Sequence, residues 1–308
     1  MKNESISLLK FARNLYHLLT YDYKKEDKQL RKLITCNDLL GYYTFHDASD
    51  LQLELQYVSE FGVEDIFPYA KTDNIKYVEK GMCTQQNLPY VIHKGRRLYF
   101  SQDYSLEKAE WQYRNYIETE QLLGAGYMQR APHCYLTDKF NIEKGDVVVD
   151  VGSAEGLLSL DKVMDASHIY IVEADPKWIP ALKATFEPWK HKCTIVNKFV
   201  SDHDDDDNIR LDTLLADTSE KPLFIKMDIE GNETHVLKSA QQWLTIRKKM
   251  TKIACCTYHY YDDAAIIEAL VKEMGYSFEF SDGYMLYNSY DMIRVPFFKH
   301  GLIRAWKE

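Results

Sequence analysis

Two glycines follow a run of valines and an acid in the segment VVVDVGSAEG, residues 147–156. Gly152 and Gly156 form the pattern G-x-x-x-G directly after a β-branched run that favours a buried parallel strand. Glycine allows the backbone to bend sharply or to approach a ligand closely, and a helix that starts there presents unpaired N–H groups to a polar ligand. The segment therefore predicts a strand, a tight turn and a helix that together hold an adenosine-containing cofactor.

The identity of that cofactor depends on the residues around the glycines. Ala154 occupies the position of the second glycine in the nicotinamide-binding fingerprint G-x-G-x-x-G. A side chain at this position keeps the backbone from approaching a pyrophosphate as closely as glycine would. An acid two residues before the first glycine is instead typical of class I S-adenosylmethionine (SAM) methyltransferases. Glu173 ends a second apolar run, about 20 residues after the first, where a ribose-binding acid is expected. The predicted cofactor-binding residues are Asp150, Gly152, Ser153, Glu155, Gly156, Glu173, Ala174, Ser201, Asp202 and Asp228.

Charged residues follow the fourth apolar run of the chain, 223–225. Because an unpaired buried charge is strongly unfavourable, they must pair with each other or serve a ligand. Alternation along a strand puts Lys226, Asp228 and Glu230 on one side, where they can form a network around a ligand. A purely structural cluster, in which the charges pair only with one another, is the alternative. A histidine ends the fifth run, and its ordinary pKa of about 6.5 suits proton removal at neutral pH. The predicted catalytic residues are His259 as the base and Asp228, Glu230 and Lys226 near the substrate, ahead of His133 and His235.

A metal site is not predicted. The four aspartates at 204–207 could bind a cation, but a block of like charges in a loop is usually a solvated turn. The six cysteines form no C-x-x-C pair, and no histidines follow them at the spacing of a zinc site, so we expect reduced thiols. A divalent ion held by Asp228 and Glu230 remains the alternative.

Apolar runs alternate with helical patterns throughout the second half of the chain. This alternation predicts a doubly wound, mostly parallel sheet with helices on both faces, the Rossmann-like α/β fold of class I methyltransferases. A terminal antiparallel hairpin is expected from 277–280 and 284–287, joined by the turn Asp282-Gly283. The five predicted parallel strands are Val147 to Val151, Ile169 to Glu173, Thr194 to Val200, Leu223 to Met227 and Lys252 to Tyr258.

The first part of the chain reads as a mixed α/β region. Glycines and a proline between Gly124 and Ala131 interrupt the helical pattern, so we expect an N-terminal region at 1–126 that caps the substrate cleft, followed by a cofactor-binding domain at 127–308. The elements predicted in the N-terminal region are an amphipathic helix from Ser5 to Tyr21, a helix from Leu51 to Phe61, a hairpin of 88–93 with 98–100, and a long helix from Leu106 to Leu123.

Composition limits the classes of partner. With 308 residues, 45% apolar and 28% charged, the chain has the make-up of a soluble globular protein. The net charge of −9 disfavours a nucleic-acid partner, which requires a basic face. The start of the chain has no secretory pattern, and no apolar run of about 18 residues is present, so we expect no membrane span and a cytoplasmic location. A homodimer is compatible with the sequence.

Three segments, in this order, resemble the FkbM family of SAM-dependent methyltransferases. They are GDVVVDVGSAEG at 145–156, LDTLL at 211–215 and KMDIEGNETHVL at 226–237, and the resemblance extends over roughly 130–300 with a GLIRA tail at 301–305. Ser153 and Glu155 depart from the commoner wording of the first motif. The order and spacing of the segments are more specific than any one of them.

The resemblance implies a SAM-dependent O-methyltransferase whose acceptor is a hydroxyl of a small molecule or a sugar. Two other readings remain open. A nicotinamide-dependent Rossmann oxidoreductase is disfavoured by Ala154 and by the terminal hairpin. A SAM-binding interaction module without turnover is disfavoured by the charged residues that follow the fourth strand.

Overall fold

The computed structural model describes residues 29–70, 75–124, 130–289 and 292–308. The helix predicted from Ser5 to Tyr21 lies outside these residues. None of the described helices is long and apolar enough to cross a membrane. The first described elements are helix α1 (29–43), helix α2 (Gln52–Phe61), strands β1 (Lys80–Cys83), β2 (Leu88–His93) and β3 (Arg96–Tyr99), and helix α3 (Leu106–Arg114).

From residue 147 the chain alternates strands and helices, as predicted. The elements are β4 (Val147–Val151), α4 (Leu157–Lys162), β5 (His168–Val172), α5 (Ile179–Phe186), β6 (Cys193–Val196), β7 (Phe199–Ser201), β8 (Asn208–Arg210), α6 (Leu211–Leu214), β9 (Leu223–Met227), α7 (Glu233–Ile246), β10 (Thr251–Cys256), α8 (Asp263–Glu273), β11 (Ser277–Phe280), β12 (Met285–Ser289), β13 (Met292–Lys299) and β14 (Leu302–Lys307).

Seven strands form the central sheet in the order β11-β14-β10-β9-β4-β5-β6. The five strands from β10 to β6 are parallel, and β14 runs antiparallel to both of its neighbours. Every residue of β4, β9 and β10 is buried, as expected for central strands of a parallel sheet covered on both faces. The direction in which the strand order grows reverses between β4 and β9, and ligands bind at such a switch point, beyond the carboxyl ends of the strands.

The predicted terminal hairpin is wrong in its partner strand. β11 pairs with β14, and β12 pairs with β13 in a separate two-stranded sheet. The turn after β11 does end that strand, but the chain then leaves the central sheet, and Leu286 packs with Phe297 and Phe298 against Leu39 and Val58 of the N-terminal helices. β14 returns with Leu302, Ile303 and Ala305 fully buried, which suits a strand with a neighbour on each side.

Most other elements differ from their predicted bounds by one or two residues, and two differ by more. The third strand ends at Val196 instead of Val200, because the side chain of Asn197 turns to donate to the carbonyl oxygens of Glu173 and Ala174. The helix that begins after the capping residue Ser105 leaves α-helical geometry at Arg114 and continues as one π-helical turn, Asn115–Thr119. Both changes occur beside the cavity described below, where π-helical turns are often found in other proteins.

The N-terminal sheet β1-β2-β3 packs on helices α4 and α5. Leu98 and Phe100 share one apolar cluster with Leu182 and Phe186, and the buried His93 places Nε2 2.8 Å from Asp161 Oδ1. Burial alone would raise the pKa of Asp161, but His93 and Lys94 outweigh that effect and hold this pKa well below its usual range. The hairpin is therefore fixed to α5 by apolar contacts and to α4 by charged contacts.

Candidate functional site

A cavity of about 850 Å³ opens at the carboxyl ends of β4, β5 and β9. Its wall combines the turn after β4, the acid after β5 and the acid after β9 with Tyr116 of the π-helical turn and Glu120, which directly follows that turn. The wider π turn keeps both on the side of the helix that already presents Gln112 to the cavity. The predicted switch-point site is therefore formed in part by the N-terminal region.

The two glycines of the first motif have different roles. Gly152 lines the cavity with φ at +74°, and a Cβ there would lie 1.9 Å from the carbonyl oxygen of Asp228. Only glycine therefore lets the turn after β4 pass this close to the end of β9. A Cβ on Gly156 would meet Phe186 at 2.9 Å and Leu182 at 3.0 Å, so this glycine serves the packing of α4 on α5. Gly156 is not among the residues that line the cavity.

Glu173 stands in the cavity wall, as the ribose prediction requires. Its Oε2 accepts a hydrogen bond from the backbone N–H of Ala154 at 2.8 Å, and its Oε1 accepts one from the N–H of Asp175 at 2.8 Å. Each carboxylate oxygen can accept a second bond, so both remain available to a pair of hydroxyls. Ala154 and Ala174 line the same wall. The acid therefore both fixes the turn after β4 and faces the cavity.

A smaller cavity of about 80 Å³ adjoins the first and shares Tyr116, Gly152 and Asp228 with it. Its buried wall holds polar atoms that make no hydrogen bond within the described part of the chain. They are Asp150 Oδ1, Ser153 Oγ and Glu155 Oε2. Buried polar atoms are rarely left without a partner, so this pocket is suited to a polar group of a ligand.

Lys226 and Asp150 form the charged floor of the smaller cavity. The Lys226 Nζ lies 3.4 Å from Asp150 Oδ1 and donates to the carbonyl oxygen of Gly152, while Asp150 Oδ2 accepts from Ser159 at 2.7 Å. Burial alone would lower the pKa of Lys226, but Asp150 and Asp228 outweigh it and raise this pKa. Burial raises the pKa of Glu155 to about 7. The predicted charged network thus joins Lys226 to Asp150, with no ion pair to Glu230 among the described contacts.

Asp228 is the centre of a hydrogen-bonded cluster in the main cavity. Its Oδ2 accepts from the Tyr135 hydroxyl at 2.9 Å, and its Oδ1 accepts from the Tyr258 hydroxyl at 3.0 Å. His133 places Nε2 3.5 Å from Asp228 Oδ2 and Nδ1 2.9 Å from Glu120 Oε2. Burial alone would raise the pKa of Asp228, but His133 and Lys226 outweigh it and hold this pKa well below its usual range.

His133 lines the cavity and is buried between two carboxylates. Burial alone would lower its pKa, but the hydrogen-bonding carboxylates of Asp228 and Glu120 outweigh that effect and raise the pKa to about 9. The sequence favours His259 over His133 as the base, because His133 lies before the first core strand and no periodic pattern indicates its position. The only sequence feature that could have indicated a buried His133 is its position next to the apolar residues Cys134 and Tyr135.

His259, the predicted base, is not among the residues that line either cavity. Its Nε2 lies 3.5 Å from Asp228 Oδ1, and its Nδ1 lies 3.1 Å from Glu233 Oε1. Burial alone would lower its pKa, but Glu233 and Asp228 outweigh it and raise this pKa. His259 therefore contacts the site through Asp228. His235 is exposed on α7, away from the site.

Glu230 lies outside the strand that was expected to hold it. β9 ends at Met227, and Glu230 follows in a turn with φ at +56° and a side chain that is 93% exposed. Strand alternation therefore does not extend to it. Glu230 still contributes to the rim of the main cavity.

Ser201 and Asp202 lie at the end of β7 and line neither cavity. Since the third strand ends early, Lys198, Phe199 and Val200 line the cavity at this edge of the sheet. Two of the predicted cofactor-binding residues, Ser201 and Asp202, thus lie outside both cavities, and the three residues before them line the wall.

The loop 204–207 is a turn satisfied by its own contacts, in which Asp205 Oδ1 accepts from the N–H groups of Asp207 and Asn208. Two other clusters bring possible metal-ligand atoms within 4.8 Å of one another, and both contain Asp228. Because two tyrosine hydroxyls already donate to that carboxylate, we assign a metal to neither. The clusters are His133 with Asp228 and Cys256, and Asp228 with Glu233 and His259.

The chain was compared with known proteins. Residues 150–278 match the family described as "Methyltransferase FkbM domain". None of the curated proteins matches the chain. A methyltransferase FkbM from Methylobacillus flagellatus KT is similar over 54% of this chain at 19% identity with a TM-score of 0.42, and the chain spans 44% of that protein's length.

Two further solved structures illustrate the range of similar proteins. TYW2 of M. jannaschii, solved in complex with AdoMet, is similar over 77% of this chain and 91% of its own, at 13% identity with a TM-score of 0.38. The precorrin-6y C5,15-methyltransferase of Geobacter metallireducens GS-15 is similar over 55% of this chain and 84% of its own, at 14% identity with a TM-score of 0.36.

The family match begins at Asp150, which lines the smaller cavity, and includes Glu173 and Asp228, which line the main cavity. It confirms the resemblance inferred from the three sequence segments. The seven-stranded sheet confirms the fold class, a mostly parallel, Rossmann-like sheet with an antiparallel strand inserted near one edge. Residues 150–278 of the chain are therefore similar to the methyltransferase FkbM domain.

Proposed function

We propose that the protein transfers a methyl group from SAM to a hydroxyl of a small molecule or a sugar. The observation that carries this proposal is the cavity at the switch point, with Glu173 in its wall beside the turn after β4. The match to the domain family supports methyl transfer. The hydroxyl acceptor is the further step, and the charges of the cavity support it as described below.

The residues present fit SAM. Glu173 would accept from the ribose hydroxyls, and Phe199 with Trp178 supplies apolar surface in the same cavity for the adenine ring. The oxygens of Ser153 and Glu155 that make no hydrogen bond among the described residues would take the ammonium group of the methionyl part in the smaller cavity, together with Asp150 Oδ1, which also faces Lys226 Nζ. A cationic ligand also suits a wall in which acids outnumber bases.

Bound SAM would supply an activated methyl group: the acceptor oxygen would bond to the methyl carbon while the carbon–sulfur bond breaks with its electron pair left on sulfur, and the hydroxyl proton would leave. The chain contributes alignment, which is worth roughly 7–11 kcal/mol in well-oriented reactions, and a group to take the proton. The carboxylate of Asp228 is a poor base because its pKa is held well below the usual range. Its bonds from Tyr135 and Tyr258 suit it to fix the orientation of neighbouring groups.

The charges of the cavity favour an acceptor without phosphate or carboxylate groups. The acids in the wall face one lysine, Lys198, and one histidine, His133. An anionic acceptor would therefore be repelled, whereas a neutral polyhydroxyl compound would find acceptor oxygens and aromatic faces. The net charge of −9 disfavours a nucleic-acid acceptor for the same reason. The acids that line the cavity are Glu120, Glu173, Asp175, Asp228 and Glu230.

Binding and product analysis test the proposal in two stages. Calorimetry should show that SAM binds and that NAD does not, which separates methyl transfer from the nicotinamide alternative. Incubation with methyl-labelled SAM and paired neutral and phosphorylated sugars, followed by mass spectrometry, should place the label on oxygen of the neutral members. Absence of SAM binding, or a label found only on nitrogen or carbon, would overturn the proposal.

A further inference from the structure

One histidine in the cavity wall is placed to exchange a proton with a ligand. His133 is 5% exposed, lines both cavities, and has each ring nitrogen directed towards a carboxylate. Its Nδ1 lies 2.9 Å from Glu120 Oε2, and its Nε2 lies 3.5 Å from Asp228 Oδ2. A ring held between two anions is stabilised as the imidazolium cation.

The groups around His133 come from four parts of the chain. Glu120 follows the π-helical turn, and Tyr135 lies two residues after His133. Asp228 follows β9, Cys256 ends β10, and Tyr258 lies shortly after that strand. The Tyr135 hydroxyl lies 3.2 Å from Nε2, and the Cys256 Sγ lies 3.6 Å from it. Lys226 and His259 act on the same site through Asp228.

We propose that His133 is the acid–base group of this cavity, that it holds a proton until the cationic cofactor binds, and that its freed Nε2 then accepts the proton of the acceptor hydroxyl. The proton displaced by the cofactor goes to solvent. This inference rests on the proposed function, because it requires SAM as the ligand and a hydroxyl as the acceptor. Glu120 is a positioning residue that holds the ring through Nδ1.

The physical basis is electrostatic repulsion between two cations, the imidazolium of His133 and the sulfonium of a SAM molecule bound in the cavity that His133 lines. A unit positive charge at about 6 Å, in a medium of effective dielectric constant near 20, lowers the pKa of an imidazole by about two. The pKa of His133 would thus fall from about 9 in the empty cavity to about 7. In its neutral form the imidazole is matched to proton transfer near neutral pH.

S-Adenosylhomocysteine (SAH) provides a matched ligand, since it differs from SAM by the methyl group and its positive charge. SAM binding at pH 8 should release roughly 0.8 proton, whereas SAH should release far less. The affinity for SAM should also rise roughly 25-fold from pH 7 to pH 9, while the affinity for SAH changes little. The site would therefore hold the charged donor most tightly when His133 is free to accept a proton.

Isothermal calorimetry of SAM and SAH in buffers of different ionisation enthalpy tests this directly. The variants are His133→Gln and, as the matched control, His259→Gln, because both rings contact Asp228 but only His133 lines the cavity. We expect proton release on SAM binding to vanish in H133Q and to persist in H259Q. Release that persists in H133Q, release that is lost only in H259Q, or equal release with SAM and SAH would overturn the proposal.

A second measurement does not depend on the folding of a variant. Imidazole ¹⁵N NMR of the wild-type protein should show one buried histidine with a pKa near 9 that falls by about two on addition of SAM and much less on addition of SAH. No change with SAM would contradict the inference. If SAM does not bind to the wild-type protein at all, the proposed function itself fails, so the two failures are distinguishable.

Discussion

Replacing Glu173 with glutamine tests the proposed cofactor site most specifically. The carboxylate lines the cavity and already accepts the backbone N–H groups of Ala154 and Asp175, each at 2.8 Å. Glutamine keeps the shape but offers one acceptor oxygen and one NH₂ group, so the negative charge and one acceptor are lost. Hydrogen bonds to a charged group contribute about 1.5–3 kcal/mol each, so losing about 2–3 kcal/mol of ribose binding should weaken SAM affinity by about 30- to 150-fold.

The matched control for this variant is Asp202→Asn. Asp202 was also predicted from the sequence as a cofactor residue, but it is exposed and lines neither cavity. Calorimetric SAM titration of both variants should show weakened binding only in E173Q, with the D202N affinity within about twofold of wild type. Thermal unfolding should accompany the titration, because the N–H bonds to Glu173 also hold the turn. Unchanged affinity in E173Q, or equal weakening in D202N, would refute the assignment of the ribose site.

Three further outcomes follow from the same structure. Gly152→Ala should reduce the free energy of unfolding, measured with urea, by about 3 kcal/mol or more, because the new Cβ would lie 1.9 Å from the carbonyl oxygen of Asp228. The control Gly145→Ala, which is also at positive φ but has open space around it, should reduce that free energy by only about 1–2 kcal/mol. Equal reductions in the two variants would contradict this reasoning. Burial raises the pKa of Glu155 in the folded protein to about 7, against an ordinary value of 4.5, so the wild-type protein loses stability as the pH rises from about 4.5 to 7. The E155Q variant should therefore be more stable than wild type by about 3 kcal/mol at pH 8 and equally stable at pH 4. A stability difference that does not change with pH would disprove the effect of burial. A chelator should leave SAM binding and methyl transfer unchanged, and a loss that Mg²⁺ restores would show that the assignment of no metal is wrong.

The parts of the fold that the sequence predicts are those with strong local patterns. β4 and β9 have the predicted bounds because their apolar runs are buried on both faces and end at charged residues. The turn at Gly152 and the acid Glu173 follow for the same reason, since each lies at a strand end with a fixed spacing. Local pattern also places Lys226 and Asp228 beside the turn after β4.

The remaining site residues depend on contacts between distant parts of the chain. Tyr135 reaches Asp228 across 93 positions in the sequence, and no periodicity in the segment around His133 indicates that contact. The partner of β11 could not be read from the sequence either, because a short turn predicts the neighbouring strand, whereas apolar packing against the N-terminal helices removes β12 from the sheet. Glu230 shows the limit of extending strand alternation past the last paired residue, Met227.

A crystal structure of the protein with bound SAH tests the central claim most directly. The account predicts that SAH occupies the cavity between the ends of β4 and β9, with both ribose hydroxyls within hydrogen-bonding distance of Glu173 and the ammonium group near Asp150, Ser153 and Glu155. An SAH molecule bound elsewhere, or a Glu173 carboxylate that contacts only the N–H groups of Ala154 and Asp175, would contradict it.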